Sequence, residues 1–240
     1  MATTFILVPG SWHTTTHMAP LVKALGQHNY PARTVQLATV GLKSPRPAFA
    51  DNVEVIFQAV RQELQSGNDV CLVAHSYGGI GTAEALNRLV TDPEVAASKG
   101  KLIRTVFIAA FRLPPHVPID VRSQALVDMT PGFSVDDDGM LYIANAGQVF
   151  FNDLPPDAAQ HWVDALEPVY DPGIEGVITS ESWLKTPVSA LLCKQDQSIP
   201  PAVQEAWWQD VPHEWIDAAH TPYVSQPDRV AEILIRAAAM

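Results

Sequence analysis

The stretch "DVCLVAHSYGGIGTAEAL" (69–86) decides the fold class. An apolar run over Val70–Ala74 reads as a strand buried on both faces. Ser76 then stands in a short glycine-bearing turn, and a helical pattern follows directly. A strand, a sharp turn with a hydroxyl at its tip and a helix form the context of a nucleophile elbow. The usual spacing is Gly-x-Ser-x-Gly, and here Ala74 occupies the first glycine position. What that position requires is smallness, because helix and strand backbones pass closely there. Alanine supplies it with one methyl group, and Gly78 and Gly79 supply the other side.

Working outward, short Val/Ile/Leu-rich runs alternate with helical patterns. Strands are predicted at 3–8, 32–38, 69–74, 103–110, 188–193 and 213–219, and helices at 18–27, 49–67, after the elbow and at 227–239. Runs that are apolar throughout, instead of alternating, signal a parallel sheet covered on both sides. The expectation is a doubly wound, mostly parallel six-stranded α/β sheet. Residues 112–186 break the rhythm with prolines, the acidic "VDDDG" (135–139) and scattered aromatics. They are expected to form an inserted helical lid, the core being 1–111 and 187–240.

The composition bounds the partners. A chain of 240 residues with a net charge of −11 has no basic stripe to follow phosphates, so nucleic acid is excluded as a partner. No apolar run approaches the ~18–20 residues that span a bilayer, so no membrane partner is expected. The opening "MATTFILVPG" lacks a basic n-region and reads as a first strand, not a signal peptide. Cys71 and Cys193 lie within predicted buried strands, a usage that suits a reducing compartment. A cytoplasmic location is expected.

Chain order then supplies partners for Ser76. Asp196 follows the strand "VSALLC", and His220 follows the strand "HEWIDAA". All three thus fall at the carboxyl ends of parallel strands, where open α/β sheets place their sites. A serine hydroxyl attacks a carbonyl when an imidazole takes its proton, and a carboxylate fixes the tautomer of that imidazole. The amide after the nucleophile, Tyr77, and the amide of Ser11 in the turn "VPGSWH" are the candidate oxyanion donors. Candidate pocket residues are Trp12, His13, Phe111, Tyr142, Phe150 and Trp183. His75 reads as structural. His13 and His17 stand four apart, as in some zinc sites, but lack the helical motif's glutamate and a third ligand. No metal and no cofactor are expected.

"FILVPGSWH…MAPLVKAL", "LVAHSYGG", "VFIAAF" and "LLCKQDQSIPPAVQEAW…AAHTP" together resemble the α/β-hydrolase superfamily. The branch is that of the plant methyl-ester hydrolases and hydroxynitrile lyases, with small microbial and fungal hydrolases. The resemblance covers nearly the whole chain outside the lid. It implies a triad of Ser76, Asp196 and His220 with backbone donors at Ser11 and Tyr77. It also implies a strand order that separates the Cys71 and Cys193 strands by that of "TVFIAA", about 10 Å at two strand spacings and too far for a disulfide. Pro9 departs from the histidine usual before the oxyanion glycine. Gly10 and Thr221 stand where the hydroxynitrile lyases are expected to carry threonine and lysine, which removes the cation that would stabilise departing cyanide. The reaction expected is hydrolysis of a small, moderately apolar carboxylic ester or lactone through an acyl-enzyme. The alternatives are a lyase or cyclase using His220 as base and a non-catalytic ligand-binding protein. A homodimer is left open.

Overall fold

The computed structural model describes residues 3–116, 129–170 and 178–240. Six parallel strands form the centre: β1 (Thr3–Val8), β2 (Ala32–Thr34), β3 (Asp69–His75), β4 (Leu102–Ile108), β8 (Val188–Cys193) and β9 (His213–Ile216). Their spatial order is β2-β1-β3-β4-β8-β9, all pairs parallel. The predicted doubly wound sheet is the one observed. β4 separates the strands of Cys71 and Cys193, and both thiols are free and buried.

The period of two along each strand divides the core between the two faces. Ile6, Val8, Leu72 and Ala74 join a layer with Val53, Ile56, Val60 and Leu64 of α2 (Phe49–Gln65) and Ile80 and Leu86 of α3 (Gly78–Leu89), which the single-turn α4 (Pro93–Ala96) follows. Phe5, Leu7, Cys71 and Val73 join the opposite layer with Leu21 and Leu25 of α1 (Thr15–Gln27) and Ile233 and Leu234 of the C-terminal helix (Pro227–Ala238). The helix α2 carries its apolar residues three and four apart, so a single stripe faces the sheet.

Three strands end before their predicted limits, β4 by two residues at Ile108 and two others by more. After β2, Val35 N–H still reaches the Leu7 carbonyl at 2.9 Å, and the chain then turns away. Pro9 has no N–H with which β1 could prolong the ladder. β9 stops at Ile216, so Asp217 lies just outside it and accepts from the Gln195 side chain.

The segment between β4 and β8 is mixed and not simply helical. Its described residues form an antiparallel sheet, β5 (Phe133–Val135), β6 (Met140–Ile143) and β7 (Val169–Tyr170), with α5 (Ala146–Phe150) and α6 (Pro156–Val163). "DDDG" is the hairpin turn: Asp136 Oδ1 accepts from the amides of Asp138 and Met140, and Gly139 takes φ +75°. A pairing of Val40 with Val169 ties this sheet to the loop before α2. Among the described residues no helix is long and apolar enough to cross a membrane.

Candidate active site

The elbow forms because its neighbours leave no room for anything else. Ser76 is held at φ +52°, a left-handed conformation that strains a residue with a Cβ. Three backbone bonds fix it: its N–H donates to Ile108 O at 3.2 Å, and its carbonyl accepts from Gly79 N at 3.0 Å and Phe111 N at 3.1 Å. A Cβ on Gly78 would come within 2.4 Å of Pro9 O, and one on Gly79 within 2.9 Å of Ala110 Cβ. Ala74 keeps its place in the ladder between Val8 and Phe107 and is fully buried.

The loops after β8 and β9 meet this serine. The Ser76 hydroxyl donates to His220 Nε2 at 2.9 Å, and His220 Nδ1–H donates to Asp196 Oδ2 at 2.7 Å. The first three predicted side chains therefore lie in one continuous row. Asp196 and His220 are buried. Four donors converge on the two carboxylate oxygens: His220, the amides of Ser198 (2.7 Å) and Ile199 (2.8 Å), and Gln204 Nε2 (2.9 Å). That satisfies an acceptor-only group in the interior.

Gln204 is a residue the sequence reading missed. It stands in α7 (Pro201–Trp208), is fully buried, and accepts from Cys193 N–H at 3.0 Å while donating to Asp196. A glutamine in a short helix carries no motif, and only its place eight residues after the acid, in the first turn of the next helix, could have marked it.

The turn after β1 reaches the elbow through Gly10, where an added Cβ would stand 2.7 Å from Ser76 Cβ. Trp12 follows with φ +62°, and its indole N–H donates to Leu141 O at 3.1 Å. Ser11, Ser76 and Tyr77 line one cavity, and Tyr77 stands at the start of α3. The cavity also takes in Trp12, Phe111, Phe133, Leu141 and Phe150, with Thr130 and Ser198 as further polar lining. The cavity has a volume of about 50 Å³. Among the described residues no charged side chain lines it.

Three of the predicted pocket residues lie elsewhere. Tyr142 is half exposed and its hydroxyl donates to Asp136 on the outer hairpin. Trp183 is buried against Phe107 and Trp208 in the core. His13 sits behind the cavity, its Nδ1–H donating to Ser11 O at 2.7 Å and its Nε2 accepting from Thr221 at 3.2 Å.

Two more histidines sit in this region. His75 Nε2–H donates to the His220 carbonyl at 2.9 Å, and its Nδ1 accepts from Tyr223 at 3.0 Å. His17 Nδ1 accepts from Thr14 N–H and its Nε2–H donates to Trp162 O, which makes it part of a helix cap. With every ring nitrogen of His13 and His17 so engaged, the spacing of four is explained by capping and loop bracing. Burial pushes the His13 and His75 imidazoles well below their ordinary value, and neighbouring imidazoles push the same way. Burial likewise lowers His17.

A model of the alpha/beta hydrolase family matches residues 5–233. The chain belongs to that family. Its curated hydrolase relatives include "Alpha/beta hydrolase nvfD" of Aspergillus novofumigatus, 26% identical with 97% of this chain and 95% of that protein covered. Another is "Probable hydrolase R7" of a Phoma species, 27% identical with 98% of each covered. Among solved structures, polyneuridine aldehyde esterase superposes with a TM-score of 0.78 at 18% identity, over 98% of this chain and 99% of that one. Tomato methylketone synthase I superposes at 0.74 with 17% identity, over 100% and 98%. These two show that the hydrolase fold is shared.

Proposed function

We propose that the protein is a serine hydrolase that cleaves a small, uncharged, moderately apolar carboxylic ester or lactone through an acyl-enzyme. The observation that carries this reading is the row Asp196–His220–Ser76, with separations of 2.7 and 2.9 Å. Ser76 Oγ attacks the carbonyl carbon while His220 Nε2 takes its proton, and Asp196 stabilises the imidazolium that forms. The oxyanion is received by the amides of Ser11 and Tyr77. His220 returns the proton to the departing alkoxide, and a water activated by the same imidazole resolves the ester. The names of the hydrolase and esterase relatives accord with this chemistry.

The lining of the cavity supports the substrate class. A carboxylate or ammonium placed among Trp12, Phe111, Phe133, Leu141 and Phe150 would be desolvated with no counter-charge among the described residues. Phe133, Leu141 and Phe150 belong to the segment between β4 and β8, and this segment serves as the lid over the site. The lyase alternative needs a cation after the histidine, and that place holds Thr221, engaged with His13.

The test is labelling with a fluorophosphonate, paired with hydrolysis of p-nitrophenyl acetate and butyrate. Ser76 takes the label in the native protein, and Ser76→Ala loses both label and turnover. Ester hydrolysis that persists in Ser76→Ala would sink the mechanism. Turnover without incorporation of oxygen from labelled water would favour the lyase or cyclase.

A further inference from the structure

Two consecutive side chains just after α5 reach back to both loops that carry the acid and the base. Asn152 Nδ2 donates to the carbonyl of Gln195 at 3.0 Å. Asp153 Oδ2 accepts from the Ala219 amide at 3.0 Å and from the Ser225 hydroxyl at 2.6 Å. Gln195 immediately precedes Asp196, and Ala219 immediately precedes His220. Ala219 is buried, so the Asp153 tie reaches interior backbone, while the Asn152 tie holds Gln195 at the surface, one residue before the buried Asp196.

We propose that Asn152 and Asp153 are positioning residues that set the separation of Asp196 and His220; the proposal rests on the serine-hydrolase reading. Beyond their last ladder-like contact, Gln195 N–H to Ala218 O at 3.0 Å, the loops after β8 and β9 have left the sheet. Neighbouring strands stand about 4.8 Å apart, and nothing in the pleat itself brings two side chains within hydrogen-bond reach past the strand ends. A dipeptide has a fixed span of about 3.8 Å between its Cα atoms. With one side chain on each loop it acts as a gauge between them. The same dipeptide begins two residues beyond Phe150, a wall of the cavity whose ring lies 5.5 Å from that of His220. The gauge is therefore built into the segment that faces the substrate.

The experiment uses the full chain, with kcat and KM for p-nitrophenyl butyrate normalised to sites counted by fluorophosphonate labelling. Misplacing reacting groups by about an ångström can cost a hundredfold in rate. Asp153→Ala is expected to lower kcat per labelled site by roughly ten- to a hundredfold, with KM moving by less than about twofold. Asp153→Asn keeps an acceptor oxygen for Ala219 and Ser225, so it restores most of the loss. Asn152→Ala loses several-fold. A merely structural role would reduce the number of labelled sites and leave kcat per site alone, and that result would overturn the proposal. Should Asp153→Ala yield no folded protein, Asn152→Ala and Ser225→Ala decide. Lowered kcat at constant KM in either supports the gauge, and native kcat in both overturns it. Failure of the native protein to label at Ser76 would remove the underlying reading and the gauge with it. Labelling with undisturbed variants would remove the gauge alone.

Discussion

The buried imidazoles make stability fall steeply between about pH 7.5 and about pH 5.5. His13 and His75 are wholly inside, each with one ring nitrogen donating to a carbonyl and the other accepting from a hydroxyl. Burial first, and the facing imidazoles second, hold both well below the ordinary value of 6.5. In the unfolded chain they titrate at about 6.5. The native-state values are the depressed ones, so the stability is fully present above the unfolded value. It is lost as pH falls below it, because only the unfolded chain takes up protons. An imidazole that stays neutral in the native state contributes a loss of about 1.4 kcal/mol across this window, so two contribute about 2.7 kcal/mol. His17, lowered by burial, adds part of a third. That is a large share of a typical stability of about 5–15 kcal/mol. The carboxylates held low, Asp210 by hydrogen bonds from Arg112 and likewise Glu54, Glu63 and Asp136, change charge below the window. The assay is urea unfolding at intervals of half a pH unit. With an m-value of about 2–3 kcal/mol/M, the midpoint should drop by about 1 M. A midpoint that does not move would mean that both imidazoles gain protons inside the folded protein, and the burial argument would fail.

Three substitutions test the site and its support. Asp196→Asn leaves the shape of the carboxylate but offers an amide where His220 Nδ1–H needs its acceptor, so kcat should fall by about three to four orders of magnitude. A loss below tenfold, measured per labelled site, would mean that Asp196 does not set the tautomer. Gly78→Ala puts a methyl carbon 2.4 Å from the Pro9 carbonyl, a backbone atom that cannot swing aside, and should cost about 1–3 kcal/mol or more. Gly26→Ala, a helical position with nothing within 4 Å of the added carbon, should instead stabilise by about 0.5–1 kcal/mol. Thermal melts of the two variants side by side read this directly, and equal melting temperatures would refute the close approach at the elbow.

The parts of this molecule that were legible in the sequence are those where one physical demand acts on consecutive residues. A strand covered on both faces must be apolar at every position, which made Val70–Ala74 and Val188–Cys193 readable. Asp196 and His220 were legible as candidate partners of Ser76 because chain order places each after a predicted strand, although the one before His220 is short and partly polar. Gln204 and the Asn152–Asp153 pair were not, since a single polar side chain reaching back to a loop has no period and no composition. Tyr142 and Trp183 show the same limit from the other side. An aromatic residue in an irregular segment reads identically whether it lines a cavity, packs under a helix or sits on a hairpin, and here Trp183 packs against Trp208 and Tyr142 faces Asp136. The hairpin at 136–139 did have a signal in its Asp-Gly pair, flanked by short apolar runs.

The crowd of histidines around Ser76 then becomes intelligible as a question of where one proton can go. In the proposed cycle His220 must carry a positive charge for the lifetime of the tetrahedral intermediate. The ring of His75 lies 4.7 Å from it, and that of His13 lies 5.2 Å from His75. Imidazoles of ordinary basicity at those distances would share the proton and drain charge from the row. Each of these two instead spends its single N–H on a carbonyl, of His220 and of Ser11 respectively, and burial keeps it neutral. The proton taken from Ser76 therefore stays on His220, opposite Asp196. The neighbouring rings supply aromatic bulk and backbone anchors without entering the acid–base chemistry. Replacing His75 by a permanently charged side chain should for this reason damage the reaction more than replacing it by glutamine, which can still donate to the His220 carbonyl.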